Sequence, residues 1–272
     1  MTFQFTWRPL ACWLAVSAVL STAAVRADVE AEVAIAQIDE RLAIDPQDVA
    51  LLAERARLHA EIGQFDHAMA DLDLATTLAP ENSSLRVARA QLFVALGRET
   101  AALAELDIAI DLEDSFSARA LRAALREADG RFGESLEDYD AALSRADAID
   151  LHLGRARVLR HLGRLDVAAA ELQRAVVRLR GAATLRLALV EVLDELGRHT
   201  EALRQIDEGR AGLRVQTRWL LRRARQLDAL GRHDEARRER ARAVEEAEAR
   251  LRLRPSRGAA EDLDAARQEV GR

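Results

Sequence analysis

Small and large apolar residues recur along the chain at spacings that predict amphipathic helices. In the clearest copies, an alanine, a leucine and a second alanine stand four and three residues apart, as at Ala68, Leu72 and Ala75. Side chains at this spacing share one face of an α-helix. Each copy therefore predicts a helix whose packed face is built mainly from small residues, with one larger residue between them.

A glycine corner separates the predicted helices at a nearly constant period. Gly63, Gly97, Gly130, Gly163, Gly197 and Gly231 follow one another at intervals of 34, 33, 33, 34 and 34 residues. Six marks on one period indicate internal repeats. Glycine adopts the left-handed conformation that ends a helix at little cost. Each unit is thus predicted to be a helix, a tight turn and a second helix.

This pattern resembles the tetratricopeptide repeat (TPR). The matching features are the small residues seven before and five and twelve after each corner glycine, the glycine itself, and the closing prolines Pro46 and Pro80. The resemblance covers roughly residues 34–250 and implies an all-α fold, a right-handed superhelical solenoid of stacked antiparallel helix hairpins. One hairpin cannot bury both of its apolar faces, so the hairpins must stack.

The period also predicts how the chain is divided. An incomplete unit precedes six repeats, and a polar amphipathic helix follows them to cap the exposed end. The predicted segments are a signal peptide (1–27), an N-terminal half-repeat helix (28–48), repeats at 49–82, 83–115, 116–148, 149–182, 183–216 and 217–250, and a C-terminal capping helix (251–272).

The first 27 residues differ from the rest of the chain. Arg8 precedes an apolar run, and the small-residue sequence Val25-Arg26-Ala27 leads into an acidic segment. This arrangement predicts a secretory signal peptide cleaved after Ala27, with no stable membrane insertion afterwards. The protein is then exported, and periplasmic or secreted if it is bacterial. The alternative is an uncleaved N-terminal membrane anchor.

Charge is distributed unevenly along the predicted mature chain. Residues 28–114 hold six Arg and 19 acidic residues, a net charge of −13, whereas residues 115–272 hold 32 Arg and 27 acidic residues, a net charge of +5. The chain contains no Lys. A gradient of this size makes the two ends prefer different partners, or each other.

Residue patterns for catalysis, metal binding or a cofactor are not found. The glycine corners lack the further glycines and the Lys of a phosphate loop, so six equivalent corners indicate a structural turn. The histidines form no helical metal-ligand pair, and the one cysteine, Cys12, lies in the predicted signal peptide. We therefore expect no catalytic, metal or cofactor-binding residues, and no enzymatic activity.

Nucleic-acid binding is not expected either. The arginine-rich stretch 237–257 holds eight Arg, but four Glu interrupt it and aromatic residues for stacking on bases are lacking. Contact between this basic helix and an anionic envelope surface remains an alternative.

The resemblance implies that the first helices of successive repeats line a concave surface, where a protein or peptide would bind. The TPR proteins that clamp a C-terminal carboxylate use Lys and Asn there, and neither type occupies those positions. The first helices of the last three repeats instead carry cationic, anionic and mixed sets of side chains, which would suit a peptide bearing both charge signs. Alternatively, these groups simply pair with one another. The candidate residues are Arg57, Gln91, Arg157, Arg160, His161, Glu191, Asp194, Glu195, Arg218 and Arg225.

The predicted function is therefore that of an exported, non-catalytic scaffold that binds a protein or peptide partner on its concave face. The alternative is an envelope assembly or tethering component that acts through its oppositely charged ends. In that case weak association between copies, or contact with an anionic surface, would replace partner binding on the concave face.

Overall fold

The computed structural model describes residues 28–211 and 215–270, and all regular secondary structure in these ranges is α-helical. The predicted signal peptide lies outside the described residues. The described residues divide into two compact units, one ending at Asp129 and the other beginning at Gly130. The division falls at the corner inside the predicted third repeat.

The first unit is a series of antiparallel helices joined by short turns. It contains α1 (residues 28–44), α2 (Val49–Glu61), α3 (Phe65–Leu78), α4 (Ser83–Ala95), α5 (Glu99–Leu112) and α6 (Phe116–Ala128). Each helix packs on the next, and α2 also contacts α4. Buried residues of α1 to α4 form one apolar cluster, and a second cluster runs from α4 to α6.

The second unit repeats this arrangement, and its penultimate helix is longer than the others. It contains α7 (Phe132–Leu143), α8 (Ile149–His161), α9 (Leu165–Arg178), α10 (Ala183–Glu195), α11 (His199–Arg210), α12 (Thr217–Ala229), α13 (His233–Leu253) and α14 (Arg257–Val270). Helix α14 packs against both α12 and α13. Among the helices described in both units, none is long and apolar enough to cross a membrane.

Small residues let the helices approach closely, as their spacing predicts. Ala68, Ala102 and Ala168 are fully buried, and so are the alanines seven residues after them, Ala75, Ala109 and Ala175. Ser135 takes the same register in α7 and is also fully buried. A larger side chain here would push neighbouring helices apart, since protein interiors leave little unfilled space. The prediction of a core lined by small residues is confirmed.

The glycine corners are helix C-termini. Gly163 has φ +69°, and each of the five equivalent glycines also has positive φ. The Gly163 N–H donates to the Arg160 carbonyl (2.9 Å), and the Arg164 N–H donates to the Leu159 carbonyl (2.8 Å). Both amides are therefore used to close the preceding helix. They are not available to an anion, which agrees with the structural interpretation of the corner.

Arginines eight residues before the corners join first helices to neighbouring second helices. Arg55 of α2 bonds Asp39 of α1 and Asp71 of α3, both at 2.6 Å. The pKa of Arg55 is raised, chiefly by its hydrogen bond to Asp71. The same register holds Arg89, Arg122, Arg155 and Arg223, each ion-paired with the preceding second helix. Leu189 takes this position in α10. These arginines were not among the residues predicted from the sequence, although their period equals that of the glycines.

Candidate functional site

The ten predicted binding residues fall into two groups. Two of them lie in the first unit, Arg57 on α2 and Gln91 on α4, and eight lie in the second unit on α8, α10 and α12. All are exposed except Arg160, which is half-buried. We call the exposed sides of α8, α10 and α12 the first-helix face of the second unit.

The candidates of the first unit form only local contacts in the structure. Arg57 donates to Glu54 at 2.6 Å and to Glu61, both on its own helix. The hydrogen bond from Arg57 lowers the pKa of Glu54. Gln91 is exposed on α4. The two pairs of Arg57 stabilise α2 slightly, as exposed pairs three or four residues apart do.

Helices α8 and α10 present opposite charges to each other. Arg160 bonds Glu195 and lies 3.7 Å from Glu191, so a cation of α8 spans two carboxylates of α10. Arg157 is exposed on the same helix. His161 stacks on Phe132 of α7, with ring centroids 4.6 Å apart and an interplanar angle of 8°. This stacking limits the orientations of the imidazole, a constraint that the sequence did not reveal.

The pairing continues from α10 to α12. Arg222 contacts Glu191 at 3.3 Å, and the Gln226 amide donates to Asp194 at 2.9 Å. His199 Nδ1 lies 2.8 Å from Gln226 Oε1 and 3.4 Å from the Asp194 carboxylate. Arg222 and Gln226 were absent from the predicted set. Finding them requires the distance between neighbouring first helices, which residue spacing within one repeat does not provide.

The last two candidates, Arg218 and Arg225, bind the C-terminal helix. Arg218 bonds Asp262 of α14 at 3.0 Å, and Arg225 bonds Glu269 of α14 at 2.5 Å. Burial raises the pKa of Asp262, but hydrogen bonds from Arg250 and Arg218 outweigh it and leave that pKa below its usual value. These two arginines therefore help to hold the capping helix in place.

The first-helix face is thus a network of ion pairs and hydrogen bonds. It runs from α8 across α10 to α12, and from α12 to α14, and most of its members remain partly exposed. In the parts of the chain described, no cluster of three or more His, Cys, Asp or Glu side chains could hold a metal ion. The side chains of this face offer charges and hydrogen-bonding groups.

Comparison with known proteins agrees with this architecture. Residues 23–92 match the family model described as a tetratricopeptide repeat. Helix hairpins with small-residue packing and glycine corners continue beyond that match to residue 253. Residues 23–92 thus match the TPR family, and the described chain has the fold of TPR proteins, a fold used by protein-interaction scaffolds. No specific subfamily is evident.

Several solved structures share the fold at low sequence identity. PilW, a type IV pilus biogenesis factor, is 19% identical over 80% of this chain and 98% of its own, with a TM-score of 0.62. A TPR protein from Parabacteroides merdae is 16% identical over 86% of this chain and 91% of its own, with a TM-score of 0.56. YrrB, a TPR protein with an unusual peptide-binding site, is 19% identical over 72% of this chain and 97% of its own, with a TM-score of 0.53. No curated protein sequence matches the chain significantly.

Proposed function

We propose that this protein is an exported, non-catalytic scaffold that binds a protein or peptide along the first-helix face. The observation that carries the proposal is the row of opposite charges on neighbouring helices. Arg157 and Arg160 project from α8, and Glu191 and Glu195 project from α10. Export rests on the signal-like pattern of residues 1–27. YrrB, described as having a peptide-binding site, provides an example of peptide binding within this fold.

Pairing between the helices does not prevent these side chains from binding a partner. The side chains of Arg160, Glu191 and Glu195 are 34%, 47% and 39% exposed. Ion pairs at such exposure stabilise a protein by only about 0–1 kcal/mol, because water already solvates both charges. A peptide that carries both charge signs can therefore replace these contacts with its own at small cost.

A charge swap separates binding from self-pairing. Arg160→Glu removes the pair with Glu195 and also reverses one charge of the face. The double variant Arg160→Glu/Glu195→Arg restores the pair with opposite polarity. We expect both variants to lose a partner that the wild-type protein captures by crosslinking in the native envelope. We also expect the double variant to keep the wild-type melting temperature.

Two outcomes would contradict the proposal. Capture that survives the double variant would show that the charges on this face do not select the partner. Loss of capture only when the opposite side of the hairpins is altered would place the binding surface elsewhere. An Arg174→Glu variant on α9, outside the first-helix face, is the matched control for a reversed arginine.

A second candidate function is assembly or tethering through oppositely charged ends. It is supported by the net charge of −13 over residues 28–114 and of +5 over residues 115–272. PilW, a pilus biogenesis factor, indicates that an assembly role is compatible with this fold. Sedimentation across a salt series tests this candidate, because attraction between exposed charges weakens as ionic strength rises. A protein that stays monomeric at low and high salt would contradict it.

A further inference from the structure

Three exposed apolar side chains on α3 and α5 form what we call the outer stripe: Leu74, Ile108 and Leu112. Their exposed fractions are 43%, 42% and 41%. Leu74 and Ile108 each stand eleven residues after a corner glycine. In the second unit the same register holds Ala141, Arg174, Glu208 and Arg242. The stripe is therefore a property of the first unit and not of the repeat itself.

Helices α3 and α5 also carry carboxylates, one of them beside the outer stripe. Asp111 stands between Ile108 and Leu112 on α5, and Asp66 and Glu99 lie in the first turns of α3 and α5. Among the residues that the structure describes, none forms an ion pair or hydrogen bond with the side chains of these three. Asp107 of the same helix, by contrast, is bound by Arg122 at 2.6 Å. Asp111 thus adds to the apolar side chains of the outer stripe a negative charge that is open to a partner.

The end of α13 combines apolar and basic residues, a composition complementary to the apolar and acidic outer stripe. Residues 250–257 read R-L-R-L-R-P-S-R, and we call them the Arg-Leu segment. Leu253 is 83% exposed, and the side chains of Arg252 and Arg257 are each 75% exposed, although they pair with Glu248 and Glu261 of their own helices at 3.9 and 2.8 Å. Arg254 is also exposed, whereas Arg250 is bound to Asp262. An exposed leucine is thus flanked along the chain by exposed arginines.

We propose that the Arg-Leu segment of one copy binds the outer stripe of a second copy, head to tail. Leu253 would pack against Ile108 and Leu112 while Arg252 and Arg254 face Asp111, so that apolar burial and charge attraction act together. Each copy carries both surfaces once. The contact is therefore heterologous and can extend to further copies. This inference rests on the second candidate function and names its contact surfaces.

Sedimentation velocity on the wild-type protein and three single variants tests the contact. Ile108→Gln alters the stripe and Leu253→Gln alters the Arg-Leu segment. Val177→Gln on α9 is the control, because Val177 is 73% exposed and lies outside both surfaces. We expect the wild type and the control to associate at low salt and to dissociate at high salt. We expect each of the other two variants to associate about tenfold more weakly, since each removes one side of the apolar contact.

A charge-reversed pair provides the sharper experiment. Asp111→Arg and Arg254→Glu should each reduce self-association, and an equimolar mixture of the two should regain complexes between unlike variants. Circular dichroism is the control that checks whether each variant keeps its helix content. If the wild type associates in low salt but Ile108→Gln and Leu253→Gln associate equally well, the ends interact through other surfaces and this contact is wrong. If the wild type is monomeric throughout, the second candidate function is wrong as well.

Discussion

Gly154 on α8 is the clearest place to test how side-chain size is matched between neighbouring helices. A Cβ added there would lie 2.3 Å from Cζ of Tyr139 and 2.5 Å from its hydroxyl oxygen. Tyr139 of α7 is only 4% exposed, so its ring has little room to move aside. The chain's single tyrosine thus takes the register that Leu72 and Leu106 occupy in other hairpins, and it packs directly against a glycine.

The expected cost of Gly154→Ala follows from two opposing effects. Alanine in a helix interior is favoured over glycine by about 0.5–1 kcal/mol. An extra methyl group in a packed core costs about 1–3 kcal/mol, and a 2.3 Å contact with an aromatic ring belongs at the upper end. We therefore expect Gly154→Ala to destabilise the second unit by about 2 kcal/mol. With Tyr139→Leu present the clash is absent, and the same substitution should stabilise by about 0.5–1 kcal/mol.

Hydrogen exchange of the α7 and α8 amides measures this local stability in a double-mutant cycle: the wild type, Gly154→Ala, Tyr139→Leu and the double variant. Gly133→Ala on α7 is the control, because a Cβ at that position meets nothing within 4 Å. The decisive observation is the change of sign between the wild-type background and the Tyr139→Leu background. Equal destabilisation in both backgrounds would show that the ring contact is not the cause. Stabilisation in both would show that the ring relocates freely.

Two further predictions concern ion pairs that join helices. Arg89→Leu leaves Glu105, whose side chain is only 12% exposed, without one of its cations. Urea unfolding should therefore show a free energy of unfolding lower by about 1–3 kcal/mol. Adding Glu105→Gln should recover at least half of this loss, and no recovery would contradict the charge explanation. The pKa of Asp262 is depressed, so its stabilising effect is complete above the ordinary value of about 3.9 and is lost as pH falls through the folded value. Asp262→Asn should therefore lower the melting temperature at pH 6, and its effect should shrink steadily as the pH is lowered below about 3.9; an effect that does not change with pH would contradict it.

Most of the fold could be predicted because a repeat presents the same evidence several times. Any one glycine is a weak turn signal, but six on a constant period identify a corner, and Gly163 has the left-handed φ that such a corner needs. The alanine rows predicted close helix packing for a similar reason. A position that must remain small in every hairpin remains small in the sequence.

The candidate site was harder to predict. Periodicity identified Arg160 and Glu191 as residues of the first helices, but it left open whether they face a partner or each other. The structure brings Arg160 to Glu191 and Glu195, and it directs Arg218 to Asp262 of the last helix. These pairs join residues 31 to 44 positions apart, so the spacing within a single repeat carries no information about them.

The sequence by itself determined the all-α repeat architecture, the glycine corners and the opposite charges of the two ends, because each depends on local conformation or composition. The tertiary structure alone decided which charges pair, where Tyr139 finds space beside Gly154, and which apolar side chains of α3 and α5 stay exposed. Those outcomes depend on distances between helices that are far apart in the chain. Such distances are set by the stacking of the helices and not by the residues of any one helix.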